Sequence, residues 1–72
     1  MKRDVDCIIL WHEYSDAEKL LGFSTTRFLG DMNHLTEQLQ GAARLCKANR
    51  ERGRKYVVAS QIIPVASLPS AQ

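Results

Sequence analysis

Glycine and proline are scarce in this sequence, four and two residues of 72, and cysteine occurs twice. So few backbone breakers exclude a collagenous or linker-like chain. Two cysteines, Cys7 and Cys46, each among apolar neighbours, do not make the disulfide framework of a small secreted domain. There is no C-x-x-C pair, and His12 and His34 do not stand at ligand spacing from either cysteine, so no structural metal is expected. Gly22, Gly30, Gly41 and Gly53 are widely scattered, which excludes a glycine-rich phosphate loop. Long apolar runs are missing too: Cys7–Trp11 is too short for a signal-peptide core or a membrane span. These absences point to a cytoplasmic chain with free thiols, no cofactor and no membrane partner.

What is present is a globular composition, 44% apolar and 25% charged, with no internal repeat. The length allows one domain, residues 1–64, followed by a Ser/Ala/Pro-rich tail, residues 65–72. A chain this short sits near the lower limit for an independent core, which rarely supplies more than about 3–5 kcal/mol unaided. Association with another chain is the expected reinforcement. Charge is distributed unevenly: residues 1–37 carry net −3 and residues 38–72 net +5, with every base of the second half between Arg44 and Lys55.

Val5–Trp11 reads as a strand, rich in Val, Ile and an aromatic. Its pleat sets Val5, Cys7, Ile9 and Trp11 against Asp6, Ile8, Leu10 and His12. Both sets contain bulky apolar groups, so a central position is expected. Ser15-Asp16-Ala17-Glu18 fits a capping box and predicts a short helix over Asp16–Leu21, ended by Gly22. Phe28, Met32, Leu35, Leu39, Ala42, Cys46 and Asn49 recur at alternating steps of four and three, widened by Leu29 and Leu45. That stripe predicts a long amphipathic helix over Thr26–Arg52, roughly 40 Å long. Thr25 or Thr26 would cap it, or Asp31 if Gly30 marks a later start, and Gly53 would end it. Lys55–Ile63 reads as a second strand, with Tyr56, Val58, Ser60 and Ile62 on one face and Pro64 as its stop. The fold class is therefore α+β, ordered strand, short helix, long amphipathic helix, strand. A right-handed crossover would make the strands parallel. Two strands are too few for a stable sheet, so dimerisation would complete it.

Catalysis finds little support in this pattern. His34 and Cys46 lie twelve residues apart on one predicted helix, roughly 18 Å along its axis, and no orienting group accompanies them. Both cysteines read as small core residues. Asp4, Asp6, Glu13, Asp16 and Glu18 form either a solvated acidic edge or a patch for a basic partner. Trp11, Tyr14, Phe23, Phe28 and Met32 are the candidate partner-binding anchors, being of types enriched in interfaces and bracketing the predicted connector. Arg44, Lys47, Arg50 and Arg54 are candidate contacts to phosphate or to an acidic partner, although no nucleic-acid-reading motif accompanies them.

Size, the strand at Val5–Trp11, the stripe from Phe28 to Cys46 and the want of a catalytic motif resemble the very small regulators encoded by temperate phages, such as phage antirepressors. The resemblance is one of organisation and carries no residue across. It implies a non-enzymatic, self-associated regulator or inhibitor that binds a protein partner, for antirepressors a transcriptional repressor. The alternative is a small nucleic-acid-binding protein using the basic segment Arg44 to Lys55.

Overall fold

The run of β-branched and aromatic residues near the start forms strand β1, Asp4–Tyr14, longer at its end than its apolar stretch alone predicts. A computed structural model describes residues 4–68. The chain then turns through Ser15–Lys19 into strand β2, Leu20–Asp31, which pairs antiparallel with β1 from Asp4 opposite Asp31 to Tyr14 opposite Leu20. Helix α1, Met32–Glu51, follows, and strand β3, Tyr56–Pro64, pairs antiparallel on the other side of β1. The sheet order is β2-β1-β3, so β1 is central. A 3-10 turn, Val65–Ser67, succeeds β3 within what was expected to be tail; residues 69–72 lie outside the described region.

The α+β class holds, but the element order does not. Asp16–Leu21 is a hairpin turn and a strand start, not a helix. The Ser15 hydroxyl accepts from the amides of Ala17 and Lys19 at 3.3 Å each, closing a turn instead of capping a helix. Glu18 adopts φ +61°, outside the right-handed helical region, and its carboxylate reaches Arg50 across the fold. The long helix likewise begins at Met32, not Thr26. Residues 20–31 pair with β1, and Phe28 reaches the core from a strand that puts it where a helical turn would also have done. This is tertiary pairing overriding a local pattern. The expected parallel pair becomes a three-stranded antiparallel sheet. The shortage of strands that made a dimer necessary is thus met within the chain.

The helix ends follow their local chemistry. Asp31 is the N-cap, its Oδ1 accepting from the Asn33 amide at 3.0 Å. At the other end Gly53 takes φ +66°, its amide donating to Arg50 O and that of Arg54 to Asn49 O. These are the two bonds of a Schellman motif, which glycine permits without a Cβ penalty.

Odd-numbered residues of β1 face the helix. Ile9 is fully buried, Cys7 and Leu35 nearly so, and Val5, Trp11, Phe28, Leu39 and Ala59 pack around them. Of the expected helix stripe, Leu35, Leu39, Ala42, Cys46 and Asn49 turn inward, whereas Leu45 is exposed and Leu29 belongs to a strand. In β3 a bulge at Ser60 breaks the expected alternation: Leu10 opposes Gln61 while Trp11 opposes Ala59. Ile62 and Ala59 therefore both serve the helix side, and Ile63, Gln61 and Val58 the other.

Candidate binding surface

Helix α1 covers one face of the sheet, packing most closely on β3, with Leu35 reaching Cys7 and Ile9 of β1. Even-numbered residues of β1 project from the opposite face, where no helix packs. Register places Leu29, Arg27, Thr25 and Phe23 of β2 beside Asp6, Ile8, Leu10 and His12, with Ile63, Gln61 and Val58 of β3 on their other flank. Ile8, Leu10 and Ile63 are half-buried by their neighbours, while Phe23 and Leu29 are 72% and 70% exposed. Isolated exposed apolar groups are ordinary; a contiguous set across three strands is the type of surface that marks an interaction site.

Two features organise this face. The Arg27 guanidinium donates to both carboxylate oxygens of Asp6, at 3.0 and 2.7 Å, so its one close cation–anion pair is self-neutralised. Those hydrogen bonds, aided by the guanidinium charge and opposed by partial desolvation, hold the Asp6 carboxyl below its ordinary value near 3.8. Nearer the hairpin turn, rings run across the strands: Phe23 lies 6.3 Å from His12, His12 6.5 Å from Tyr14, and Tyr14 stacks on Tyr56 at 5.5 Å. Arg50, from the end of α1, lies 5.3 Å over the buried Tyr56 ring, so this end of the line, unlike the rest of the face, is reached by the helix.

The five aromatic and methionine anchors named from sequence do not share one surface. Trp11 is half-buried toward the helix, its Nε1 donating to Thr26 Oγ1 at 3.0 Å, and Phe28 packs on the core. Phe23 stands out on the open face, Tyr14 is occupied by Tyr56, and Met32 is exposed in the first turn of the helix. The aliphatic members, Ile8, Leu10, Ile63 and Leu29, carry no anchor signature of their own. The signal for them was the pleat of β1, whose second apolar face demanded a cover.

The basic candidates lie elsewhere. Arg44, Lys47 and Arg54 are exposed along α1 and its exit, whereas Arg50 is engaged by Glu18 at 2.5 Å and by Tyr56. A shallow concavity beside them is lined by Glu18, Ala43, Cys46, Lys47, Arg50 and Glu51. Its two carboxylates oppose phosphate. Cys46 is a free, half-buried thiol, and His34 shares its helix too far away to act on it. Among the described residues no three His, Cys, Asp or Glu side chains cluster to hold a metal ion, and no helix is long and apolar enough to cross a membrane.

The shape carries the same message as the open face. The accessible surface is 5679 Å², against about 4500 Å² for a compact monomer of this mass. The radius of gyration is 14.1 Å where about 11 Å is usual for the length. No protein-family model matches the chain, and no curated protein or solved structure matches it either.

Proposed function

We propose that the chain is a small non-enzymatic regulator that binds another protein through the open face of its sheet, blocking or remodelling that partner. The observation that carries this reading is the contiguous apolar set Ile8, Leu10, Phe23, Leu29, Val58 and Ile63 on a face no helix covers. Burying such a set at about 25 cal/mol per Å² supplies the favourable term of a protein interface, and Asp6 and Arg27 enter it as a mutually neutralising pair, with Asp4 at the end of β1. A partner with its own apolar patch fits; a polyanion does not. In keeping with the likeness in organisation to phage antirepressors, a transcriptional repressor is one partner of this chemistry.

A second reading has its own support. Arg44, Lys47, Arg52, Arg54 and Lys55 are exposed and make no ion pair among the described residues. They could hold a nucleic acid on the helix side, remote from the open face.

Capture from the native host with three baits separates the two. The intact chain and the triple variant Arg44→Glu, Lys47→Glu, Arg54→Glu should retain the same protein, at low and high salt alike. Leu10→Lys should lose it. If Leu10→Lys retains everything and the triple variant loses a nucleic acid whose binding falls steeply with salt, the basic-surface reading replaces the first.

A further inference from the structure

Both outer edges of the sheet present unpaired backbone groups, and they differ in how they are protected. The β3 edge is blunted by the bulge at Ser60 and by Pro64, two devices that stop a further strand from adding. The β2 edge has neither. From Gly22 to Asp31 its register with β1 is unbroken, it contains no proline or lysine, and its one cation, Arg27, is held by Asp6. A long, regular edge of this kind is a template for another strand.

We propose that a second copy of this chain occupies that edge, β2 pairing antiparallel with β2 across a two-fold axis at Thr26, to make a continuous six-stranded sheet. The register follows from the pleat. Residues directly opposite in an antiparallel pair project to the same side, so odd must pair with odd and even with even, and the axis falls between a residue and its own counterpart in the second copy. Centred on Thr26, the pairing sets Phe23 against Leu29 of the second copy, and symmetry repeats the contact. These are the two most exposed large apolar residues among the described residues. Centred on Thr25 instead, Phe23 would meet the already paired Arg27, and Leu29 would meet Leu21, which stands at the register irregularity of β2.

The chain's surface exceeds that of a compact monomer by about 1200 Å², spread over the open face as well as this edge. α1 packs most closely on β3, the strand farthest from this edge, and touches β2 less. The axis is perpendicular to the sheet, so both helices fall on one side and both open faces join on the other. The pairing takes up Phe23 and Leu29 at the strand edge and leaves Ile8, Leu10, Val58 and Ile63 of the open face for a different protein.

The register places Thr25 opposite Arg27 of the second copy, twice per dimer, and this supplies a test by charge sign. Sedimentation equilibrium of the full chain over a range of concentrations should give a dimer. Thr25→Lys, which brings a further cation against Arg27 at both positions, should weaken it severalfold, with Asp6 offsetting part of the repulsion, whereas Thr25→Glu should leave it as tight or tighter. Because the two variants differ only in charge at one exposed site, a folding defect would strike both. A monomer at every concentration overturns the proposal. Equal effects of the two variants overturn it as well, as does a dimer that survives Thr25→Lys and dissociates with Leu10→Lys, the signature of sheets packed face to face. Mass is read without any other protein, so this result and the capture experiment fail independently.

Discussion

Ile8 and Ile9 are neighbours of the same type in the same strand, and the fold treats them differently. Ile9 is sealed between β1 and α1; Ile8 is half-buried among strand neighbours on the uncovered side. The odd-numbered residues of β1 therefore hold the molecule together, while the even-numbered ones carry apolar surface that a single helix cannot reach. One helix covers one face of a sheet, and a three-stranded sheet has two. In this chain stability and recognition are divided by the pleat.

The largest break in that comparison should come from Ile9→Ala. Removing a fully buried side chain leaves both the transfer loss and a cavity, so about 3 kcal/mol of stability should go, read by urea denaturation. In a domain of this size that approaches the whole reserve. A loss no larger than that of Ile8→Ala would mean the faces are not distinct. Next, Asp31→Ala removes the cap that holds α1 at the sheet and should cost about 1 kcal/mol by the same measurement. Smaller still is the stability effect of Leu10→Thr, under about 1 kcal/mol, because its site is already partly wet. Its effect on partner binding should be much greater, and a variant that binds normally would remove Leu10 from the surface.

The smallest effect concerns the ion pair on the open face. The Asp6 carboxyl is held below its ordinary value near 3.8 by hydrogen bonds from Arg27. A depressed folded-state value means the pair contributes fully above pH 3.8 and is lost as pH falls through the folded value. Both groups are accessible, so the contribution to stability is slight. A carboxyl titration followed by NMR should show the Asp6 midpoint rising toward its ordinary value in Arg27→Gln. An unchanged midpoint would show the pair absent in solution.

What could be read from sequence was whatever local chemistry decides. The pleat of β1, its central position, the Asp31 cap offered as an alternative and the Gly53 stop are all written in short stretches of residues. Residues 15–31 were not legible, for a physical reason. Ser15 and Glu18 have the spacing of a helix cap, but the same serine oxygen serves a hairpin turn as well. Phe28 and Met32 are four apart, and that spacing says helix only if both lie on one. Pairing with β1, decided by residues about twenty positions away, overrode both signals. The open face was half legible: its β1 members were placed together by alternation, but their neighbours Leu29, Phe23 and Ile63 come from two other strands whose registers no local pattern specifies.

The chain leaves one apolar face of its sheet uncovered, and that exposure can be measured. A soluble paramagnetic probe, added to the dilute protein while methyl resonances are followed, reports that directly. Ile8, Leu10, Leu29, Val58 and Ile63 should broaden strongly, and Ile9 and Leu35 should not. Equal protection of both sets at concentrations where the chain is monomeric would contradict the account.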